Sequence, residues 1–92
     1  MELPNWNCYY RDGDANALRF NVGGFSFWYS YQTLIAFRVP GHPTVVSENY
    51  WTNTTGKHLN AIDGGKKNER VNEETFKRLL KDLVAPYFKN VA

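Results

Sequence analysis

Four groups of residues carry the reactive chemistry of this 92-residue chain. The first is Thr54-Thr55-Gly56-Lys57, which invites comparison with a phosphate-binding loop. That loop needs a glycine five positions before its Gly-Lys pair and a Ser or Thr after the lysine. Trp51 and His58 occupy those positions, so the comparison fails. A helix start with threonine hydroxyls and Lys57 beside it can still hold an anion. Plain capping of the helix is the simpler role for the same threonines. The second group is His58 and His42. His58 can be drawn as a general base oriented by Asp63, Glu48 or Glu69, but a lone histidine beside a capped helix is more often a structural hydrogen-bonding residue. Two histidines sixteen positions apart, with no recognisable carboxylate spacing, make a poor metal site.

The third group is aromatic and basic. Tyr50, Trp51 and Trp28, with Lys57, Lys66, Lys67 and Arg70, can form a surface on which bases stack and cations meet phosphates. Against this, a small chain needs its aromatics for its core, and lysines solubilise loops. The fourth group is Cys8, the one cysteine. It excludes an intrachain disulfide and a cysteine-based zinc site. Lying in an aromatic strand, it reads as buried and inert. No Ser-His-Asp or Cys-His arrangement can be assembled, and no cofactor is implied.

The elements that must position these residues follow from periodicity. Residues 1–7 read as an irregular or edge start, Asn7–Arg11 as a short strand, and Asp12-Gly13-Asp14 as a turn. Ala17–Val22 and Phe25–Ser30 alternate with the period of half-buried strands, and Gly23-Gly24 between them marks a tight hairpin. In that register Val22 faces Phe25, Phe20 faces Phe27, Leu18 faces Tyr29, and Arg19 lands opposite Trp28 as a cation–π pair. Thr33–Val39 is apolar on both sides except for Arg38, which places it centrally. Pro40 to Pro43 is a loop, and Thr44–Glu48 a fourth strand. Asn53, Thr54 and Thr55 are candidate caps for a short helix over Thr55–Asp63, closed by Gly64-Gly65. Leu59 and Ile62 share its inner face. Lys66–Arg70 reads as a polar loop. Asn72 caps a longer helix, with Glu73 and Glu74 in its first turn, Val71 and Phe76 as a hydrophobic staple, and a Phe76, Leu79, Leu80, Leu83 stripe. Pro86 should end it near Val84 or Ala85. Tyr87–Ala92 is a tail whose rings can fold back on the core.

The expected fold is α+β. It is a single domain over 1–92, with an antiparallel meander of four to five strands and one short and one longer C-terminal helix packed on one face. The net charge of +2 is too balanced for an electrostatic DNA mimic and too weak for an obvious nucleic-acid binder. It is unevenly placed: residues 1–48 sum to −1, and residues 49–92, with eight basic and five acidic side chains, to +3. A solvated helical face explains that excess most simply. No signal peptide or membrane span is visible, so a cytoplasmic protein is expected.

Ser30-Tyr31-x-Thr33-x-Ile35-Ala36-Phe37, Glu48-Asn49-x-Trp51, Thr54-Thr55-Gly56-Lys57-His58-Leu59-Asn60-x-Ile62 and Phe76-x-x-Leu79-Leu80 together resemble a family of small proteins of unknown function. Its members are encoded mainly by bacteriophages and microbial genomes. The resemblance covers about residues 25–84, is most specific in the middle block, and leaves segment 1–15 outside. It implies a small phage-type protein and no particular chemistry.

The functional expectation is a non-enzymatic protein that binds a host or viral macromolecule, in one form inhibiting a defence or nucleic-acid-processing complex. Its candidate contacts are Tyr50, Trp51, Thr54, Thr55, Lys57, His58, Asn60, Lys66, Lys67 and Arg70. The alternatives are a nucleic-acid-binding module using the basic C-terminal half and, more distantly, an enzyme using His58. A homodimer through an exposed strand edge or aromatic patch is compatible with each.

Overall fold

In the computed structural model, residues 5–10 and 16–88 are described. The hairpin at their centre is β2 (Ala17–Val22) and β3 (Phe25–Ser30), turned by Gly23 and Gly24, whose φ angles are 54° and 86°. Both residues need positive φ, which a tight hairpin turn supplies cheaply only with glycine. The register is Val22↔Phe25, Phe20↔Phe27 and Leu18↔Tyr29, with Arg19 opposite Trp28. The Arg19 guanidinium carbon lies 4.8 Å from the Trp28 ring centre.

On either side of the hairpin lie β1 (Asn5–Cys8) and β4 (Thr33–Arg38), and β5 (Val45–Val46) completes an antiparallel meander in the order β1-β2-β3-β4-β5. The first strand begins two residues earlier than its sequence suggests. Arg11 and the Asp12-Gly13-Asp14 turn lie outside the described residues. The helices are α1 (Asn53–Asp63) and α2 (Glu73–Leu83), and after Val84 the C-terminal helical segment resumes as α3 (Ala85–Phe88). Pro86 thus sits in a new turn of helix and not beyond the last one. Residues 89–92 of the expected tail lie outside the described residues.

One expectation about packing is corrected. The two helices do not share a face of the sheet: α1 covers one side and α2 the other. Phe27, Phe37 and Val45 lie in register across β3, β4 and β5 and pack with Phe76, Leu79, Leu80 and Leu83 of α2. Trp28, Ala36 and Val46, the neighbours one step along, point the opposite way and pack with Leu59 and Ile62 of α1. A bulge in β4 leaves Ile35 without a register partner on β3, and Ile35 joins Ala36 under α1, both fully buried. Strands alternate sides at every residue, so an apolar run such as Leu34-Ile35-Ala36-Phe37 serves two cores.

The α2 start behaves as its sequence implies. Asn72 Oδ1 accepts the Thr75 N–H at 2.8 Å, and Val71 and Phe76 belong to one apolar cluster. Val71 also bonds to the far side of β5: its N–H donates to Val46 O at 2.9 Å and its carbonyl accepts from Glu48 N–H at 2.8 Å. That short parallel bridge between Ser47 and Val71 closes the β5 edge.

Candidate functional site

The candidate residues sit on and around α1, whose start is set by the segment before it. Asn49 makes the decisive turn. Its Oδ1 accepts the Trp51 N–H at 2.9 Å, and its Nδ2 donates to the Thr52 carbonyl at 3.1 Å. Asn side chains often mimic a backbone turn in this way. The N-cap is then Thr52, whose Oγ1 accepts the Thr55 N–H at 3.3 Å. Asn53, Thr54 and Thr55, the expected caps, fall inside the helix. Gly56 leaves room for this turn: a Cβ at that position would lie 3.0 Å from Asn49 Nδ2 and press on it. The glycine lets the Asn49 amide rest against the first turn of the helix.

Helical spacing then sorts the Thr54–Ile62 block into two faces. Thr55, His58 and Leu59 are buried against the sheet, whereas Thr54, Lys57 and Asn60 are exposed. His58 is fully buried. Its Nδ1 lies 2.7 Å from Ser30 Oγ, which in turn lies 3.0 Å from Thr55 Oγ1. The rings of Tyr9, Tyr10 and Tyr31 surround the imidazole at 6.1, 5.0 and 6.1 Å. The Nδ1 partner of His58 is a hydroxyl and not Asp63, Glu48 or Glu69. This cluster ties the end of β3 to α1 through buried hydrogen bonds, each of which would be costly to leave unmade.

Asp63 has a different partner. Arg70 Nε donates to Asp63 Oδ2 at 2.7 Å, and Arg70 Nη2 donates to Asp63 Oδ1 at 2.9 Å and to Asn60 Oδ1 at 2.9 Å. The side chains are only 4% and 12% exposed. Burial by itself raises the Asp63 carboxyl, but Arg70 and then the Gly65 N–H outweigh it and hold the group below its ordinary range. Segment 66–70 is therefore not a free polar loop. Lys67–Glu69 forms a 3-10 turn, and Arg70 clasps it to the end of α1.

Beside this clasp is an open cavity of about 350 Å³, walled by Glu48, Asn49, Asn53, Lys57, Asn60, Lys67 and Arg70 and floored at Gly56. It gathers four of the candidate residues: Lys57, Asn60, Lys67 and Arg70. Lys66 falls outside it and faces a neighbouring cleft with Thr44, Ile62 and Glu69.

Tyr50 and Trp51 face elsewhere. They are 47% and 42% exposed and stand edge to face with ring centres 5.8 Å apart. The Tyr50 hydroxyl donates to Glu48 Oε2 at 3.2 Å and accepts the Glu73 N–H at 2.5 Å, which satisfies the first donor of α2. The two rings border an apolar groove of about 340 Å³ lined by Leu34, Phe76 and Leu80 with Thr33, Glu73 and Lys77. Trp28 does not join them. It is 7% exposed and lies beneath α1.

Sequence reasoning gave Asn49 and Ser30 no structural role and offered Asp63 to His58, whereas its partner is Arg70. The Asn two positions before Trp51 carried a usable signal, because Asx turns are local. Ser30 and Asp63 carried none, since their partners lie 28 and seven positions away. Among the described residues, no three His, Cys, Asp or Glu side chains gather closely enough to hold a metal ion, and no helix is long and apolar enough to cross a membrane.

A family model matches residues 7–78, which span the whole meander from within β1, α1, the Arg70 clasp and the first half of α2. This chain belongs to the DUF8033 family. It is described as a family of unknown function. No curated protein and no solved structure matches the chain. The family match takes in both the Asn49–Gly56 contact and the Ser30–His58–Thr55 cluster, so the framework that positions the exposed aromatics lies within the matched segment.

Proposed function

We propose that this DUF8033 member is a non-enzymatic binding protein that docks on a host or viral protein through the Tyr50–Trp51 groove. The observation that carries this reading is the state of the two rings. They are large and well exposed, yet Tyr50 is tied down through its hydroxyl, and the Trp51 ring stands edge to face against it. Ordered Trp and Tyr side chains bordering an apolar recess are the usual anchors of protein interfaces, because they contribute large contact area at little entropic cost. The phage-type resemblance of the sequence supports a host or viral target, with inhibition of a defence or nucleic-acid-processing complex as its biological form. The location follows from such a target: the cytoplasm of the host cell.

The test is affinity capture with and without nuclease, followed by titration of the purified partner. Trp51→Ala should weaken that complex at least about tenfold, a change of about 1.4 kcal/mol, while the variant unfolds at nearly the wild-type temperature. A partner that binds Trp51→Ala as tightly as wild type refutes the assignment of the groove.

The cavity lined by Lys57 and Lys67 favours a second reading, a nucleic-acid-binding module. Asn53 and Asn60 add amide donors there, but the guanidinium of Arg70 is already committed to Asp63. Two lysines meeting two phosphates predict that log K falls with log salt with a slope of about −2. Retention that vanishes with nuclease, together with that slope and its loss in Lys57→Ala/Lys67→Ala, moves this reading to first place.

A further inference from the structure

A meander has two edges, and among the described residues one of them is closed. The β5 edge is closed by Val71. Among the described residues nothing pairs with the outer side of β1. The register shows which groups that edge presents. Tyr9 N–H donates to Ala17 O at 3.2 Å, so Tyr9 turns its main-chain groups inward. Antiparallel pairing alternates, so Asn7 opposite Arg19 also turns inward, and Trp6 and Cys8 turn their N–H and C=O groups outward.

We infer that this edge pairs with the β1 edge of a second copy of the chain, joining two meanders into one continuous sheet about a two-fold axis. Four observations point to a second copy. First, the strand is Asn5-Trp6-Asn7-Cys8, with no charge and no proline. Natural edges are commonly blunted by lysine, proline or a bulge, and β1 has none of these. Second, the chain's charge is arranged to permit the contact. Residues 1–48 sum to −1, whereas the +3 of residues 49–92 includes Lys57, Lys66 and Lys67 on the side of β5. Joining the β1 edges keeps the basic ends of the two copies apart.

Third, the strand is self-complementary, as a two-fold contact demands. With Trp6 opposite Cys8 of the second copy, Asn7 lies on the axis. The outward groups then exchange about four N–H···O bonds, and the Asn7 amides meet as donor and acceptor. Fourth, an ordered aromatic stands beside the edge. Trp6 is 55% exposed, yet packs against Phe20 and Tyr29 at 4.6 and 5.7 Å between ring centres. These rings lie on the α2 side of the sheet. The two-fold axis brings the second Trp6 to the same side, extending one aromatic row across the seam.

The contact is small, so the dimer belongs at the weak end of interface sizes and should be sought from about 10 μM to about 1 mM. Sedimentation equilibrium of the full chain should show a monomer–dimer equilibrium in that range. In the Trp6–Cys8 register, the two Cys8 side chains are diagonal neighbours about 7–8 Å apart. Cys8 is half-buried, not buried as its place in an aromatic strand suggests, so a short bis-maleimide should link the two thiols in proportion to the dimer fraction. Asn7→Asp sets two carboxylates opposite each other on the axis and should raise the dissociation constant at least tenfold. Trp6→Glu should do the same. Circular dichroism and unfolding temperature confirm that each variant is folded, and since Asn7 is exposed, its variant keeps the test valid if Trp6→Glu is not. A monomer throughout the range overturns the inference. So does a dimer that folded Asn7→Asp leaves unchanged, or one that bis-maleimide fails to link at Cys8.

Discussion

Asp63→Asn probes the clasp that fixes the far end of α1. The substitution keeps the shape of the side chain but removes the charge that receives two hydrogen bonds from Arg70, at 2.7 and 2.9 Å. Arg70 is then left 4% exposed, with Asn60 as its remaining partner here. Hydrogen bonds to charged groups contribute about 1.5–3 kcal/mol each. Asparagine keeps one acceptor, so a net loss of about 2–3 kcal/mol is expected. A domain of this size has a total stability of about 5–14 kcal/mol, and each kcal/mol shifts the unfolding temperature by about 4–8 °C. The variant should melt about 10–20 °C lower at neutral pH. The pH dependence gives the sharper test. The folded-state carboxyl titrates below its ordinary value of 3.8. Its contribution is therefore complete above that value and is lost as pH falls through the folded-state pKa. Wild type and Asp63→Asn should differ fully at pH 7 and converge as pH falls through the folded-state pKa of Asp63, below its ordinary value. Urea unfolding at a series of pH values measures the gap. A constant offset at all pH values, or no offset at pH 7, refutes the account. Adding Arg70→Met to Asp63→Asn should recover part of the loss, because no buried charge is then left without its counterion.

Gly56→Ala should cost about 1 kcal/mol at neutral pH, although alanine favours a helix by a similar amount, because the new Cβ meets Asn49 Nδ2. In an Asn49→Ala background the same substitution should stabilise, and a sign that does not reverse in urea unfolding refutes the packing argument. His58→Ala should cost about 3 kcal/mol by opening a cavity and stranding buried hydroxyls. A double-mutant cycle with Ser30→Ala should show about 1 kcal/mol of coupling, and strict additivity would mean that the Ser30–His58 contact contributes nothing. Arg19→Met should lower stability by about 1–2 kcal/mol through loss of the cation over Trp28, with the change confirmed as a shift in Trp fluorescence on unfolding at a lower urea midpoint.

Much of the framework was legible in the order of the residues, because its causes are local. The β2–β3 register follows from period-two alternation and a Gly-Gly turn. The α2 start follows from Asn72, two glutamates and the Val71–Phe76 pair, all within six residues. The apolar run in β4 already signalled a sheet covered on both sides, and placing both helices on one face passed over that signal. The cap of α1 was misplaced because Thr52, Asn53, Thr54 and Thr55 are all acceptable caps. Only the Asn49 turn selects Thr52 among them.

The candidate site was less legible for the same physical reason. By itself the chain determined its local elements, its unequal halves of charge and the residues that could take part in contact. It could not determine which of Thr55, Lys57, His58 and Arg70 would be spent on the fold. That was decided by partners that local patterns do not reveal: Ser30 for His58 and Asp63 for Arg70. Helical spacing separates side chains onto two faces, but only the sheet that packs against α1 decides which face is buried. The exposed Tyr50–Trp51 groove is a product of that tertiary choice, because its walls come from β4, the segment before α1 and α2, which meet only in the folded molecule.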